Sequence, residues 1–383
     1  MLATLFPNSA RPNFGIFVER QWAEIARSGG CDFTIVNPIG LPPGPLRRLS
    51  GYRDLAALPD EECWHGLAVN RPRFNIIPKF GGSRNPAAIV RAVLPLARRL
   101  HAERPFDAIH AEFLYPDAPA AMHLADALDI PFTAKARGAD VHYWGKRRGC
   151  AAQLLAAGDA AAGLLAVSDA LAEDLAALGI AREKIAVHYT GLDARKFHPR
   201  DRDRARSQLG LSASVILSVG ALIPRKRHDL LIAALPRLPQ ATLLIAGTGP
   251  DQTKLEAQAV ALGVAERVLF LGSLAHDDLP DLYRAADVFA LVSSSEGLAN
   301  VWVESLACGT PIVISNAGGA AELVRNATAG VMIAPTADAV ARAISNYLEH
   351  HSDPVMVANA VADFSWDRNG QQLVAFFQNV IAR

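Results

Sequence analysis

The sequence predicts an α/β protein made of two doubly wound domains, and three observations lead there. Short apolar runs rich in β-branched and aromatic residues recur along the chain, among them Leu164 to Val167, Val215 to Gly220, Leu243 to Ala246 and Ala286 to Val292. Helical stretches separate them, and continuous apolar runs are the mark of parallel strands buried on both faces. At 383 residues the chain is too long for one ordinary core. Several runs end in turns of glycine, serine or basic residues, the position where open α/β sheets bind ligands.

Composition narrows the class. Hydrophobic residues make up 51% and charged residues 20%, with a formal net charge of zero and no acidic or basic tail. Nothing in that balance points to a nucleic-acid partner. Cys31, Cys63, Cys150 and Cys308 are scattered, with no Cys-x-x-Cys pair and no His spacing for zinc. They read as reduced, packed thiols of a cytosolic protein. The opening MLATLFPNSARPN lacks a basic region followed by a long apolar one, and no window reaches the roughly 18 apolar residues of a membrane span. The expectation is a cytoplasmic protein, with peripheral contact at the inner membrane face left open.

In the first half, Leu2 to Phe6 reads as a short strand, and a turn-rich loop containing Gly15 leads into the helix IFVERQWAEIARSGG. Gly15 stands where backbone can approach a ligand closely, or is a simple loop glycine. Strands follow at Phe33 to Val36, Ala108 to His110, Phe132 to Ala136, Leu164 to Val167 and Ile185 to His188. Gly40 to Asn85 reads as irregular, and an acceptor is expected near it, because long loops in a compact domain are usually functional or mobile. After Phe132 to Ala136 comes Arg137-Gly138-Ala139-Asp140, again at a strand end. Arginine brings a fixed charge and a fork of donors suited to phosphate or carboxylate. Asp140 reads equally as a helix N-cap or a catalytic acid. Lys146-Arg147-Arg148 is a solvated face, or a basic edge for an anionic acceptor or lipid head group.

The second half has six strand candidates, as a Rossmann-like domain needs: Val215 to Gly220, Leu243 to Ala246, Val268 to Leu274, Ala286 to Val292, Ile312 to Ser315 and Val331 to Ile333. After the first, Ala221 to Arg227 holds Arg225, Lys226 and Arg227 in a turn that can take a diphosphate. After the second comes Gly247-Thr248-Gly249-Pro250, a weak signal by itself, because tight strand-to-helix turns need glycine anyway. The fourth runs into SSSEGLANVWVESLACGTP, Ser293 to Pro311. Apolar residues recur there at helical spacing from about Leu298, and Gly309 and Pro311 stop the helix. Glu296 and Glu304 stand eight residues apart (304 − 296), a little over two turns, so on a continuous helix both lie on one side. A carboxylate among Val301, Trp302, Val303 and Leu306 needs a partner, either an arginine of the protein or a ligand diol.

Glu296-Gly297, Asn300, Glu304-Ser305, Ala307-Cys308-Gly309 and Pro311 resemble the Glu-x7-Glu motif of the retaining glycosyltransferases of family 4. The resemblance covers nearly the whole chain and is nearest to bacterial enzymes of cell-surface polysaccharide synthesis. It implies a GT-B fold, two Rossmann-like domains facing a cleft: an acceptor-side domain at 1–199, a nucleotide-sugar domain at 200–362 and a C-terminal helix at 363–383 crossing back. It also implies transfer of a sugar from a nucleotide-diphosphate donor, UDP- or GDP-linked, to a hydroxyl of a glycan or lipid-linked acceptor, with retention. Glu296 would meet the donor sugar and Glu304 the ribose, while Leu298, Ala299, Asn300 and Val301 would offer amides to the diphosphate. The 220–227 turn resembles the family's G-R-L-x-x-x-K-G loop. Lys226 takes the lysine position there, and Ala221 replaces a frequent arginine that Arg225 or Arg227 is placed to make up. Gly247 and Gly249 match a G-x-G-P loop, Gly15 the loop facing the donor phosphates, and Leu274 the strand end beside the nucleobase. Arg137 stands where His-Gly-x-Asp is usual. No cofactor and no metal are expected. Two alternatives remain open: a nucleotide-sugar 2-epimerase or hydrolase of the same fold, and a nucleotide-sugar-binding subunit without transfer.

Overall fold

The computed structural model describes residues 1–78 and 81–382. They form two compact units, one of Met1–Gly191 with the segment from Trp366 onward, the other of Leu192–Ser365. The joins at 191/192 and 365/366 lie a few residues from the 199/200 and 362/363 expected. Local packing explains the first: Phe197 is buried with its ring edge-on to His276 at 4.9 Å, and Arg284 donates to the His198 carbonyl at 3.0 Å. Residues 192–199 are thereby tied to the second unit.

The first unit contains β1 (Ile35–Val36), β2 (Ile39–Leu41), β3 (Glu61–Trp64), β4 (Leu67–Asn70), β5 (Arg73–Asn75), β6 (Ile109–Ala111), β7 (Phe132–Ala136), β8 (Gly163–Ala166) and β9 (Ile185–Val187). β6-β7-β8-β9 pair in that order, all parallel, and β1-β4-β3 form a second run in which β3 is antiparallel to β4. Leu2 joins the two runs through bridges to Val36 and Ala111. The strand expected over Leu2 to Phe6 is therefore confined to one bridged residue. Two residues on, Thr4 gives its amide and hydroxyl to Asp117 at 2.9 and 2.7 Å, which draws the backbone away from the ladder.

A second correction concerns Gly40 to Asn85, which is not irregular. It holds a parallel β2–β5 pair, the β3–β4 hairpin and a helix at Ser50–Ala56. Arg71 lies fully buried there, bonded to Glu62, Asn37 and the Pro7 carbonyl. Such short elements, half of them exposed, leave little apolar signal. Lys79 and Phe80 of this region, and the terminal Arg383 of the expected C-terminal helix, lie outside the described residues. The helix Trp366–Ile381 packs on the helix Ile16–Ser28, burying Leu373 in the cluster of Phe6, Val18, Trp22 and Ile25.

The second unit is one parallel sheet of β10 (Ser214–Val219), β11 (Ala241–Ala246), β12 (Val268–Gly272), β13 (Val288–Leu291), β14 (Ile312–Ser315) and β15 (Gly330–Ile333). Its order is β12-β11-β10-β13-β14-β15. This is the doubly wound order 3-2-1-4-5-6, in which the chain reverses direction across the sheet between the first and fourth strands. The loops that leave β10 and β13 therefore flank the crevice at the switch point.

Candidate functional site

The loop after β10 and the glycine turn after β11 cross backbone to backbone. Leu222 N–H donates to the Thr248 carbonyl at 3.0 Å, and Gly220 N–H to the Ala246 carbonyl at 2.9 Å. A Cβ on Gly247 (φ 146°) would run into the Gly220 carbonyl oxygen, and one on Gly249 into that of Leu222. Both glycines are thus required by this crossing. The loop then makes a short turn, Pro224–Lys226, and enters the helix His228–Ala234 through Arg227. Arg227 adopts a left-handed φ of 53° and pairs with Asp229 at 3.0 Å. Below it His228 is buried, its Nδ1 3.2 Å from Ser218 Oγ. Burial, then the charge of Lys226, lowers its pKa to about 4, so the ring is neutral at pH 7.

The loop after β13 meets this turn through Glu296. Its carboxylate receives Lys226 Nζ at 2.7 Å and Arg225 Nη1 at 3.0 Å, and only 8% of the residue is exposed. Burial pushes the carboxyl pKa up, but the charges of Lys226 and Arg225 outweigh it and hold Glu296 below its ordinary value. Arg225 also donates to the Ser295 carbonyl, while Ser294 N–H donates to the Arg225 carbonyl at 2.8 Å. On the other side, Gly319 N–H donates to the Gly297 carbonyl at 2.7 Å, an approach open only because Gly318 lacks a Cβ.

The helix begins at Asn300, with Ala299 as an N-cap that offers no side-chain acceptor. Glu296 consequently lies in the turn and Glu304 inside the helix. Leu298 and Ala299 are buried, Asn300 and Val301 half-buried, at the opening turn. Glu304 is buried inside the helix and its partner is not an arginine. Its Oε1 lies 2.7 Å from His276 Nε2, and Oε2 accepts from the Tyr283 hydroxyl at 2.9 Å. Burial, then the Glu304 charge, pushes the Tyr283 pKa well up, so Tyr283 stays a donor. Leu274, half-buried, lies in the loop after β12 two residues before His276.

In the first unit Arg137 follows β7, and the carboxylate it meets is the protein's own. Its Nε donates to the Glu112 carbonyl at 2.9 Å and its Nη2 to the Glu112 carboxylate, while the guanidinium lies 4.7 Å over the Phe17 ring. Glu112 also accepts from Gln21 at 2.6 Å and from the Trp22 ring N–H. Burial works to raise its pKa, but Arg137, His110 and Lys135 bring it down to about 2. Lys135, fully buried in β7, donates to Gln21 Oε1 at 2.9 Å and lies 2.7 Å from His188 Nδ1. Asp140 is fully buried, and its carboxylate accepts from the amides of Leu114, Arg137 and Gly138 at 2.8 to 3.1 Å. It organises the loop after β7. The segment Asp140–Trp144 is a π-helical turn begun by Ala139, so Asp140 does not act as its N-cap. Gly15 (φ 77°) starts the helix Ile16–Ser28, where a Cβ would meet the Leu5 carbonyl at 2.7 Å.

Sequence reasoning passed over Glu112, Gln21, Lys135, His188, His276 and Tyr283. The signal available for Lys135 was a charged residue inside a strand, FTAKA. A separate cavity of about 380 Å³, lined by Leu2, Val93, Ile109, His110 and Phe377, opens at the amino end of β6, away from these loops.

Comparison with known proteins gives the following matches. Residues 199–362 match the family model described as Glycosyl transferases group 1, and residues 26–196 that described as Glycosyltransferase Family 4. A D-inositol 3-phosphate glycosyltransferase of Mycobacterium marinum is 33% identical over 213 residues, 52% of this chain and 46% of that protein. The chain thus spans about half the length of the curated relatives it matches. A crystal structure of Anabaena HepE in complex with UDP superposes with a TM-score of 0.75 at 23% identity, covering 99% of this chain and 98% of that one. The sucrose-phosphate synthase of Thermosynechococcus elongatus superposes at 0.76 with 21% identity, covering 96% and 93%. The fold is GT-B.

Proposed function

We propose, from two glycosyltransferase domains matched in tandem on a GT-B fold, that this chain is a hexosyltransferase moving a sugar from a nucleotide-diphosphate donor to a hydroxyl, with retention. The observation that carries the reading is the convergence of Lys226 and Arg225 on Glu296 at the switch point of the second unit. Cations fixed beside a crevice stabilise the charge that develops on a leaving diphosphate, and such preorganised electrostatics is usually the largest catalytic contribution. Amides of Leu298 to Val301 add the positive end of a helix.

The remaining roles follow from placement. Glu304, held by His276 and Tyr283, keeps lone pairs for a ribose diol, since a carboxylate offers about four acceptor positions. Leu274 would flank the base, and Glu296 would meet the sugar. Gly247, Gly249 and Gly15 shape the loops. Arg137 and Asp140 act by positioning the loop after β7. The bond from the anomeric carbon to the diphosphate breaks as the bond to the acceptor oxygen forms on the same face. The acceptor proton passes to the departing phosphate oxygen, and no metal or cofactor takes part.

UDP heads the donor candidates because a structural neighbour was crystallised with it, and GDP follows. For the acceptor, a glycan or lipid-linked hydroxyl is proposed, and the relatives' name adds a phosphorylated cyclitol. Among the described residues no helix is long and apolar enough to cross a membrane. Lys146, Arg147 and Arg148 beside the exposed Tyr143 would serve an anionic acceptor or a peripheral contact at the inner membrane face of the cytoplasm.

The test is nucleoside diphosphate release from a panel of UDP-, GDP- and ADP-sugars, with and without these acceptors, in EDTA. Acceptor-dependent release unaffected by EDTA is expected. Release or isomerisation without any acceptor would instead favour the hydrolase or epimerase, and donor binding without turnover a binding subunit.

A further inference from the structure

Glu296 is bound more tightly into this loop than a sugar contact requires. Both of its oxygens are occupied, by Lys226 at 2.7 Å and Arg225 at 3.0 Å. The two loops are also laced by Ser294 N–H to the Arg225 carbonyl at 2.8 Å and by Arg225 to the Ser295 carbonyl. The carboxylate cannot swing aside without giving up both cations. Two cations and one anion leave a single net positive charge around a buried carboxylate. Any diphosphate held by Lys226 and Arg225 has to share them with an anion already in place, and attraction between unlike charges is strongest where water is excluded.

We infer that Glu296 is the internal counter-anion of the diphosphate site: it competes with the departing nucleoside diphosphate for Lys226 and Arg225, and so limits product affinity and speeds product release. This rests on the donor reading above. It separates three roles for one carboxylate. A sugar contact leaves free diphosphate affinity unchanged on removal, a holder of cations weakens it, and a competing anion strengthens it.

The test is calorimetric titration of UDP and GDP into the full chain, as wild type, Glu296→Gln, Arg225→Gln and the double variant. Expected are a Kd lowered about tenfold in Glu296→Gln, on the scale of one lost partly desolvated ionic competitor, and a Kd raised in Arg225→Gln. The double variant restores the net charge and returns to within about threefold of wild type. An unchanged or raised Kd in Glu296→Gln overturns the inference. Should that variant fail to fold, the charge-balanced double variant decides, because a mere holder of cations predicts a clear loss there. If wild type binds neither nucleotide, the donor reading falls and this inference with it. If wild type binds and Glu296→Gln binds no tighter, only the inference falls.

Discussion

Replacing Lys226 by alanine is expected to lower kcat by about a hundred- to a thousandfold, the scale found when one preorganised donor to a developing anion is removed. Lys226 is the better buried of the two cations, with 12% of its side chain exposed against 39% for Arg225. Its ammonium is therefore less screened by water and acts more strongly on charge that appears only as the sugar departs. Donor affinity should fall less than turnover, because the ground-state diphosphate already shares its charge with Arg225 and the helix amides. Lys226→Arg keeps the charge and should recover part of the loss. The check is kcat and KM from nucleoside diphosphate release. A kcat within threefold of wild type would remove Lys226 from the chemistry.

Arg137→Ala is expected to cost about 3 to 5 kcal/mol of stability in the first unit, the cost of breaking a buried ion pair by deleting one partner. Glu112 would remain fully buried with only the neutral donors of Gln21 and Trp22 and the lysine beyond them. The pH dependence has a definite sign. In the native chain the Glu112 pKa is depressed from 4.5 to about 2. Its stabilising contribution is then complete above about pH 4.5 and is lost as pH falls through 2. Without Arg137 the carboxyl takes up a proton at higher pH, so the gap between variant and wild type should narrow on acidification. Urea denaturation at pH 7 and pH 5, followed by tryptophan fluorescence in a variant that keeps Trp22 as its one tryptophan, with and without Arg137→Ala, measures both. A gap below 1 kcal/mol at pH 7 would show that the pair carries little of the first unit's stability.

The second unit was the more legible half. Its strands are largely apolar runs, the inner four, β11, β10, β13 and β14, because both faces of the sheet cover them, and such runs show without any alternation. The loop grammar placed Lys226 and Glu296 at strand ends. What the sequence did not disclose is that the two touch, since residues 70 apart meet only through the strand order. The same holds for Glu304, whose partners His276 and Tyr283 precede it by 28 and 21 residues. Arg137 reads as a fork of donors suited to a phosphate or carboxylate, and the carboxylate it meets, Glu112, lies 25 residues upstream at the end of another strand, where sequence does not point to it. In the first unit, two- to four-residue strands such as β1 and β3 bury too little to stand out from loop. The edge strand β3 alternates exposed and half-buried residues.

The central claim is that the segment from Ser293 to Pro311 is a nucleotide-sugar donor site, and Glu304 tests it most directly. Calorimetric titration of UDP, GDP and one sugar conjugate of each into wild type and Glu304→Ala isolates the ribose contact from the chemistry. At least one nucleotide should bind wild type, and the variant should bind it about ten- to a hundredfold more weakly, equally for the free diphosphate and its sugar conjugate, as expected for one lost charge-assisted hydrogen bond. Unchanged affinity in a folded Glu304→Ala, or no binding of either nucleotide to wild type, would contradict it.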